Sequence, residues 1–373
     1  MRAYQAVDAR TGVVLADLTD LEPDGPLPLT LGRYESASAK LPLPSEIVKW
    51  LGKPEGRKPL QDLQDWRKAT RPGAVVVVAL EDDQPVWGGL VLQRTTDHTA
   101  VAQLALVTLE AYLDRRYVGD KTYTNTGQAA IVADLVDSFI KDGTLPGLPI
   151  RVAYPSPGTS RDRTYTADSD KTIYAVLSDL SGVQGGPQWT IGWERQHSPE
   201  RITPVLHVAD RVGSDVTAGL QPAAVFDLPG CVTEAQLVES YSTGDGANRV
   251  TATTGQGEDR LASTSDASDF EGRPMFEYRW SPSTSITDTS TLTAHAKRVL
   301  GILAPGSKVL TLTAAITAAP VYGDEWILGD TIGYDLLAPA WLDGLTGQAQ
   351  TIGVQVGPDT ITPILAVPDI GAA

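Results

Sequence analysis

The sequence predicts a mainly β protein with α+β parts: two related β-barrels, an α+β domain between them, and a small domain inserted into the second barrel. Three observations lead there. A three-strand meander occurs twice, once in each half of the chain; period-2 patterning gives way to helical spacing after Leu109; and a Ser/Thr/Gly/Asp-rich stretch interrupts the second run of strands.

Residues 1–43 read as short strands broken by TG, PDGP and PLP, the punctuation of turns. Helical spacing follows in SEIVKWLG (45–52), which Ser45 caps and Gly52 with Pro54 stops, and in LQDLQDWRKA (60–69). These form a helical excursion, 44–70, inside a first barrel at 1–109. The first meander is GAVVVVAL (73–80), a turn at 81–84, PVWGGLVLQR (85–94), a turn at 96–98, and AVAQLALVTL (100–109).

An α+β domain is expected at 110–200. Its clearest helix is TGQAAIVADLVDSFIKDG, with Ile131, Leu135 and Phe139 on one face and Thr126 and Gly143 at the ends. A second helix, DKTIYAVLSDLSG, starts at an Asp170 cap and buries Ile173, Val176, Leu177 and Leu180. The strand QWTIGWE then places Trp189, Ile191 and Trp193 on one face.

The second barrel is expected at 201–241 and 301–373, around an inserted domain at 242–300. Its upstream strands lie in PVLHVADRVGSDVTAGL and CVTEAQLVES. A helix, TLTAHAKRVLGIL, carries the chain back with Leu292, Val299 and Leu303 on its apolar face. The second meander is GDTIGYDL (329–336), TGQAQTIGVQV (346–356), a turn at 357–359 and TITPILAV (360–367).

Composition excludes several classes. With 373 residues, 42% apolar and 20% charged, the chain supports several packed cores and is not a disordered one. The longest apolar run, AVVVVAL, is far below the ~20 residues of a membrane helix, and the N-terminus shows no apolar leader pattern. A single cysteine, Cys231, forms no internal disulfide, and LPGCVTE suits a buried thiol. A net charge of −16 without a basic run argues against binding nucleic acid through its phosphates.

Catalytic chemistry is not in evidence, and no catalytic, cofactor-binding or metal residue is assigned. His98, His197, His207 and His295 are scattered without ligand spacing, and nucleotide-loop and nucleophile-elbow motifs are absent. Asp162, Asp168 and Asp170 form the richest acidic cluster. It reads as a polar loop ending in a helix cap, against a Ca2+ loop or a glycosidase carboxylate pair. Trp189 and Trp193 read as packing residues, against a sugar-stacking platform. The acidic turns at 81–83 and 324–325 read as turn residues.

Residues 85–193 resemble the tail hub, or minor tail, proteins of long-tailed phages of actinobacteria. VWGGLV, LVTLEAYLDRRYV, TGQAAIVADLVDSFI and RDRTYTADSDKTIYAVLSDLSGVQGGPQWTIGWE carry the resemblance, and ANRVTATTG and WILGDTIGYDL extend it. That family is similar to the baseplate hub of contractile-tailed phages. The resemblance implies two tube-type barrels per subunit and a homotrimer presenting six near-equivalent faces. Such a ring matches a sixfold tail tube or distal tail protein to a threefold tip, and seals and opens the DNA channel. Expected partners are the central spike or fibre and the tape measure protein, with DNA passing through unbound, in a virion made in the host cytoplasm. No appended wall-cleaving domain is expected. A glycan- or receptor-binding tail-tip protein is the alternative.

Overall fold

The computed structural model describes residues 2–43, 60–141, 147–182, 185–214, 221–254, 261–268, 270–281, 289–337, 342 and 344–367. The helix expected at 45–52, with Ser45, Gly52 and Pro54, lies outside these residues, as does Gly143.

The first stretch contains β1 (Arg2–Asp8), β2 (Val14–Asp17), β3 (Glu22–Pro23), β4 (Leu27–Thr30), β5 (Ser36–Pro42), α1 (Leu60–Ala69), β6 (Val75–Glu81), β7 (Gln84–Thr96) and β8 (Val101–Thr108). Seven of its strands form one sheet in the order β2-β1-β6-β7-β8-β5-β3. β6 is apolar without alternation because both its faces are covered. Val75, Val77 and Ala79 enter one core, while Val76, Val78 and Leu80 enter another.

The second of these cores belongs to the middle of the chain. That region holds α2 (Glu110–Leu113), β9 (Lys121–Gly127), α3 (Gln128–Val136) with a π turn at Asp137–Lys141, β10 (Arg151–Ala153) and β11 (Ser160–Tyr165). A 3-10 turn (Ala167–Ser169), α4 (Ile173–Ser181), β12 (Gln188–His197) and β13 (Glu200–Ala209) complete it. β10, β13 and β12 form a sheet in that order, and β9 pairs with β11. Residue 201 was the expected start of the second barrel, yet β13 pairs along its whole length with β12. A tight hairpin at residues 198–199 makes that pairing local, so it closes at little entropic cost.

Three helix details differ from expectation. α3 starts after Gly127, which still belongs to β9, and the Thr126 hydroxyl turns back onto the Thr124 carbonyl at 3.1 Å. Phe139 lies in the π turn and is only half-buried. The cap of α4 is Thr172, whose hydroxyl accepts the Ala175 N–H at 3.1 Å, and not Asp170. Asp170 has φ +48°, a left-handed conformation that the extended N-cap geometry excludes.

The rest comprises β14 (Val225–Leu228), β15 (Val232–Ser240), β16 (Arg249–Thr254), β17 (Leu261–Asp266), β18 (Glu277–Trp280), α5 (Thr289–Leu303), β19 (Ser307–Ala315), β20 (Thr331–Leu336), β21 (Leu345–Val356) and β22 (Thr360–Ala366). α5 does more than return the chain: Leu292, Ala296, Leu300 and Leu303 pack with Val250 and Ala252 of β16 into a separate small core, with β17 and β18 flanking β16. The second large sheet runs β14-β20-β21-β22-β19-β15, and β4 from the first stretch joins it on β21.

The two large sheets share a five-strand order. Reading β3-β5-β8-β7-β6 in the first and β15-β19-β22-β21-β20 in the second gives the same chain connectivity. Each has a register shift at the same place, between Val91 and Gln93 in β7 and between Thr351 and Gly353 in β21. Beyond the shared strands they differ, since β1 is antiparallel to β6 while β14 is parallel to β20. Among the described residues neither ladder closes into a barrel. Instead the inner faces of both sheets join in one core, in which Val77 and Ile332, Ala39 and Leu312, and Leu106 and Leu365 occupy matching positions. β4, drawn out of the first sheet, locks the two together, and the Trp87 indole N–H donates to its Pro28 carbonyl at 3.0 Å.

Candidate functional site

The acidic residues of 162–170 do not share one loop: Asp162 lies in β11, Asp168 lies in the 3-10 turn that follows it, and Asp170 ends that turn. Asp162 accepts the Asn125 backbone N–H at 2.7 Å, Asp168 is exposed in the 3-10 turn, and Asp170 is exposed in its left-handed turn. Among the described residues no three His, Cys, Asp or Glu side chains are placed to hold a metal ion. Cys231 is buried in the shared core, and burial pushes its thiol above its ordinary pKa. A thiol held protonated is a poor nucleophile.

The tryptophans of β12 are packed. Trp189 is 1% exposed and meets the Tyr174 ring edge-on at 5.8 Å. Trp193 is half-buried against Gly88 of β7, where a Cβ would lie 2.0 Å from the indole. Trp189 therefore has no open ring face to offer a sugar, while Trp193 has one side of its ring against the sheet.

Glu81 and Asp82 lie beside Val321 and Tyr322, which begin the loop that carries Asp324 and Glu325. The turn at 81–84 and the loop at 321–325 both border a small cleft of about 80 Å3 with Arg2 and Val356. Arg2 reaches Glu81 at 3.1 Å and also donates to the Gly357 carbonyl, tying down the last polar turn. Arg195 pairs with Asp83 and, at 2.5 Å, with Glu200. The Val321 N–H donates to Glu325 at 2.5 Å. Part of this acidity is therefore already spent on fastening turns.

A second, wider cleft of about 920 Å3 lies where the β10-β13-β12 sheet meets the 211–214 and 322–330 loops of the second large sheet. Arg151, Tyr154, Trp193, His207, Arg211 and Tyr322 line it. Arg151 is paired with Glu194, and Arg211 donates to the Thr331 hydroxyl at 2.7 Å. Burial and the Arg151 charge lower the pKa of His207.

Sequence reasoning missed Glu110. Its side chain is 2% exposed, accepts the Ile191 N–H at 3.0 Å and takes a further hydrogen bond from Thr108. Burial pushes its pKa up to about 7. In LVTLEAYL it looks like any first-turn glutamate, and only its place under β12 distinguishes it.

No protein-family model and no curated protein matches the sequence. Solved structures do match by shape. A tail protein from Neisseria meningitidis aligns with TM-score 0.55 and 12% identity over 99% of this chain and 97% of that one. The 43 kDa tail protein of prophage MuSo2 from Shewanella oneidensis gives 0.52 and 11% over 98% and 93%. Prophage tail protein gp18 from Listeria monocytogenes gives 0.52 and 10% over 99% and 95%. At these identities the likeness establishes a shared fold.

Proposed function

We propose that the chain is a structural hub of a phage tail tip, acting as a homotrimer that matches a sixfold tube to a threefold tip. The observation that carries this reading is the doubled five-strand sheet with its matching register shifts. Three chains with two equivalent sheets each can present six similar faces to a sixfold ring. The likeness to phage tail proteins over nearly the whole chain supports the same reading. On this view the units are the first sheet at 1–109, an α+β unit from 110 extended to include β13, the second sheet, and the inserted body within it.

The chain carries no reaction of its own in this proposal. The hub sits between a tube or distal tail protein above and a spike, fibre and tape measure below, and DNA crosses its bore. A net charge of −16 per chain suits a wall that repels phosphates, although only carboxylates within a Debye length of ~8 Å of the bore act in this way. The glycan-binding alternative has less support, since Trp189 is buried.

Electron cryomicroscopy of the assembled tail tests the proposal. A threefold ring in which the two sheets of each chain are related by a rotation near one sixth of a turn is expected, with more Asp and Glu than Lys and Arg facing the bore. A chain placed outside the axial ring, or two sheets set in unrelated orientations, overturns the reading. A neutral or basic bore overturns the role given to the charge.

A further inference from the structure

We propose that the edge of β7 at residues 93–96 is a docking strand for a second copy of this chain, and that the copy's inserted body, β16–β18 with α5, is what docks there. This rests on the self-association proposed above and names its contact.

The argument starts in the second sheet. β21 outruns β20: pairing with β20 ends at Gln350, and past the register shift residues 353–356 pair on that side with β4. β7 is built the same way. Pairing with β6 ends at Leu90, the register shifts after Val91, and residues 93–96 continue along β8 on the other side. Among the described residues no strand pairs with 93–96 on the β6 side. Leu92 is 51% exposed, and Gln93, Thr95 and Thr96 are exposed as well. An open run of backbone donors and acceptors at a sheet edge is a site for strand addition.

Chain position identifies the occupant. β4 is the segment between β3 and β5, and it leaves its own sheet to fill the place beside β21. The counterparts of β3 and β5 in the second sheet are β15 and β19, and the segment between those is the inserted body. The first sheet thus reaches the second within one chain through β4. Repeating that head-to-tail step brings the inserted body of one copy to the first sheet of the next, the kind of contact that closes rings. The surfaces agree in character. The end of β7 exposes Gln93, Thr95 and Thr96, with Arg94 held by the Arg67 carbonyl and the Thr70 hydroxyl, and the inserted sheet offers exposed Thr264, with Arg249–Asp266 and Glu277–Arg279 pairs that neutralise each other.

The test is site-specific photocrosslinking of the full chain. Benzoylphenylalanine replaces Thr95 in one preparation and Thr264 in another, each mixed equally with isotopically heavy unsubstituted protein. Light–heavy crosslinks from position 95 to residues 249–280, and from position 264 to β7, are expected in the oligomer. An oligomer whose crosslinks from both positions fall elsewhere, or stay within one copy, overturns this contact but leaves self-association standing. A chain that sediments as a monomer at every concentration overturns both.

Discussion

Gly73 and Gly329 make the same hydrogen bond in the two sheets. Each stands just before the first meander strand at positive φ (+72° and +99°), and donates its N–H to the strand that follows, at the Val91 carbonyl (2.7 Å) and the Thr351 carbonyl (3.0 Å). Both carbonyls lie immediately before the register shift. The surroundings differ: a Cβ on Gly73 meets nothing within 4 Å, whereas one on Gly329 lies 2.7 Å from the Val212 carbonyl oxygen.

The two glycines should therefore respond unequally. Gly73→Ala adds only the cost of a left-handed L-residue, ~1–2 kcal/mol. Gly329→Ala adds a backbone clash and should cost roughly 2–5 kcal/mol in total. Chemical denaturation of both variants checks this, and equal losses would contradict the equivalence with unequal surroundings.

Glu110 gives a pH signature. Its folded pKa of about 7 lies above the ordinary 4.5, so the folded chain holds that proton longer than the unfolded one. Its contribution to stability is complete below the unfolded value, falls as pH rises from about 4.5 to about 7, and is flat above. Relative to the parent, Glu110→Gln should become more stable across that window, by on the order of 3 kcal/mol in all. Urea titrations of both proteins at pH 4.5, 6 and 8 read the difference.

The cap of α4 separates two neighbouring polar residues. Thr172→Ala should lower stability by ~1 kcal/mol through loss of the Ala175 N–H acceptor. Asp170→Gly should stay within ~0.5 kcal/mol of the parent, because glycine adopts φ +48° readily. Melting temperatures in the reverse order would return the cap to Asp170.

Gly88→Ala should unseat Trp193. The added methyl occupies the space of the indole, so the ring must leave β7, at ~1–3 kcal/mol. The Trp193 indole N–H resonance should shift while that of buried Trp189 holds its place.

Much of the β framework was legible because strands announce themselves by turn glycines and apolar runs. GAVVVVAL and GDTIGYDL head matching meanders for the reason just given: each needs a positive-φ residue where the chain turns into the sheet. Partnership between strands was less legible. LPLT at β4 is short and carries no signal of which sheet it enters, and alternation in β13 shows that it is a strand without showing its neighbour. Asp170 and Thr172 are both good cap residues, and backbone conformation alone decides between them. Asp162, Asp168 and Asp170 look like one cluster in sequence, yet the first sits in β11 on the Asn125 N–H and the other two in the 3-10 turn and the left-handed residue that ends it.

β6 has a consequence for how the molecule comes apart. With Val75, Val77 and Ala79 in one core and Val76, Val78 and Leu80 in the other, this strand cannot leave either without emptying both. The two large sheets and the α+β region should thus melt in a single step, with the amides of β6 among the slowest to exchange with solvent. The inserted body, with its separate core around Leu292 and Val250, is free to open on its own and should exchange earlier. Force applied along the chain would then spend itself first on that body, leaving the joined sheets intact as the part that bears load.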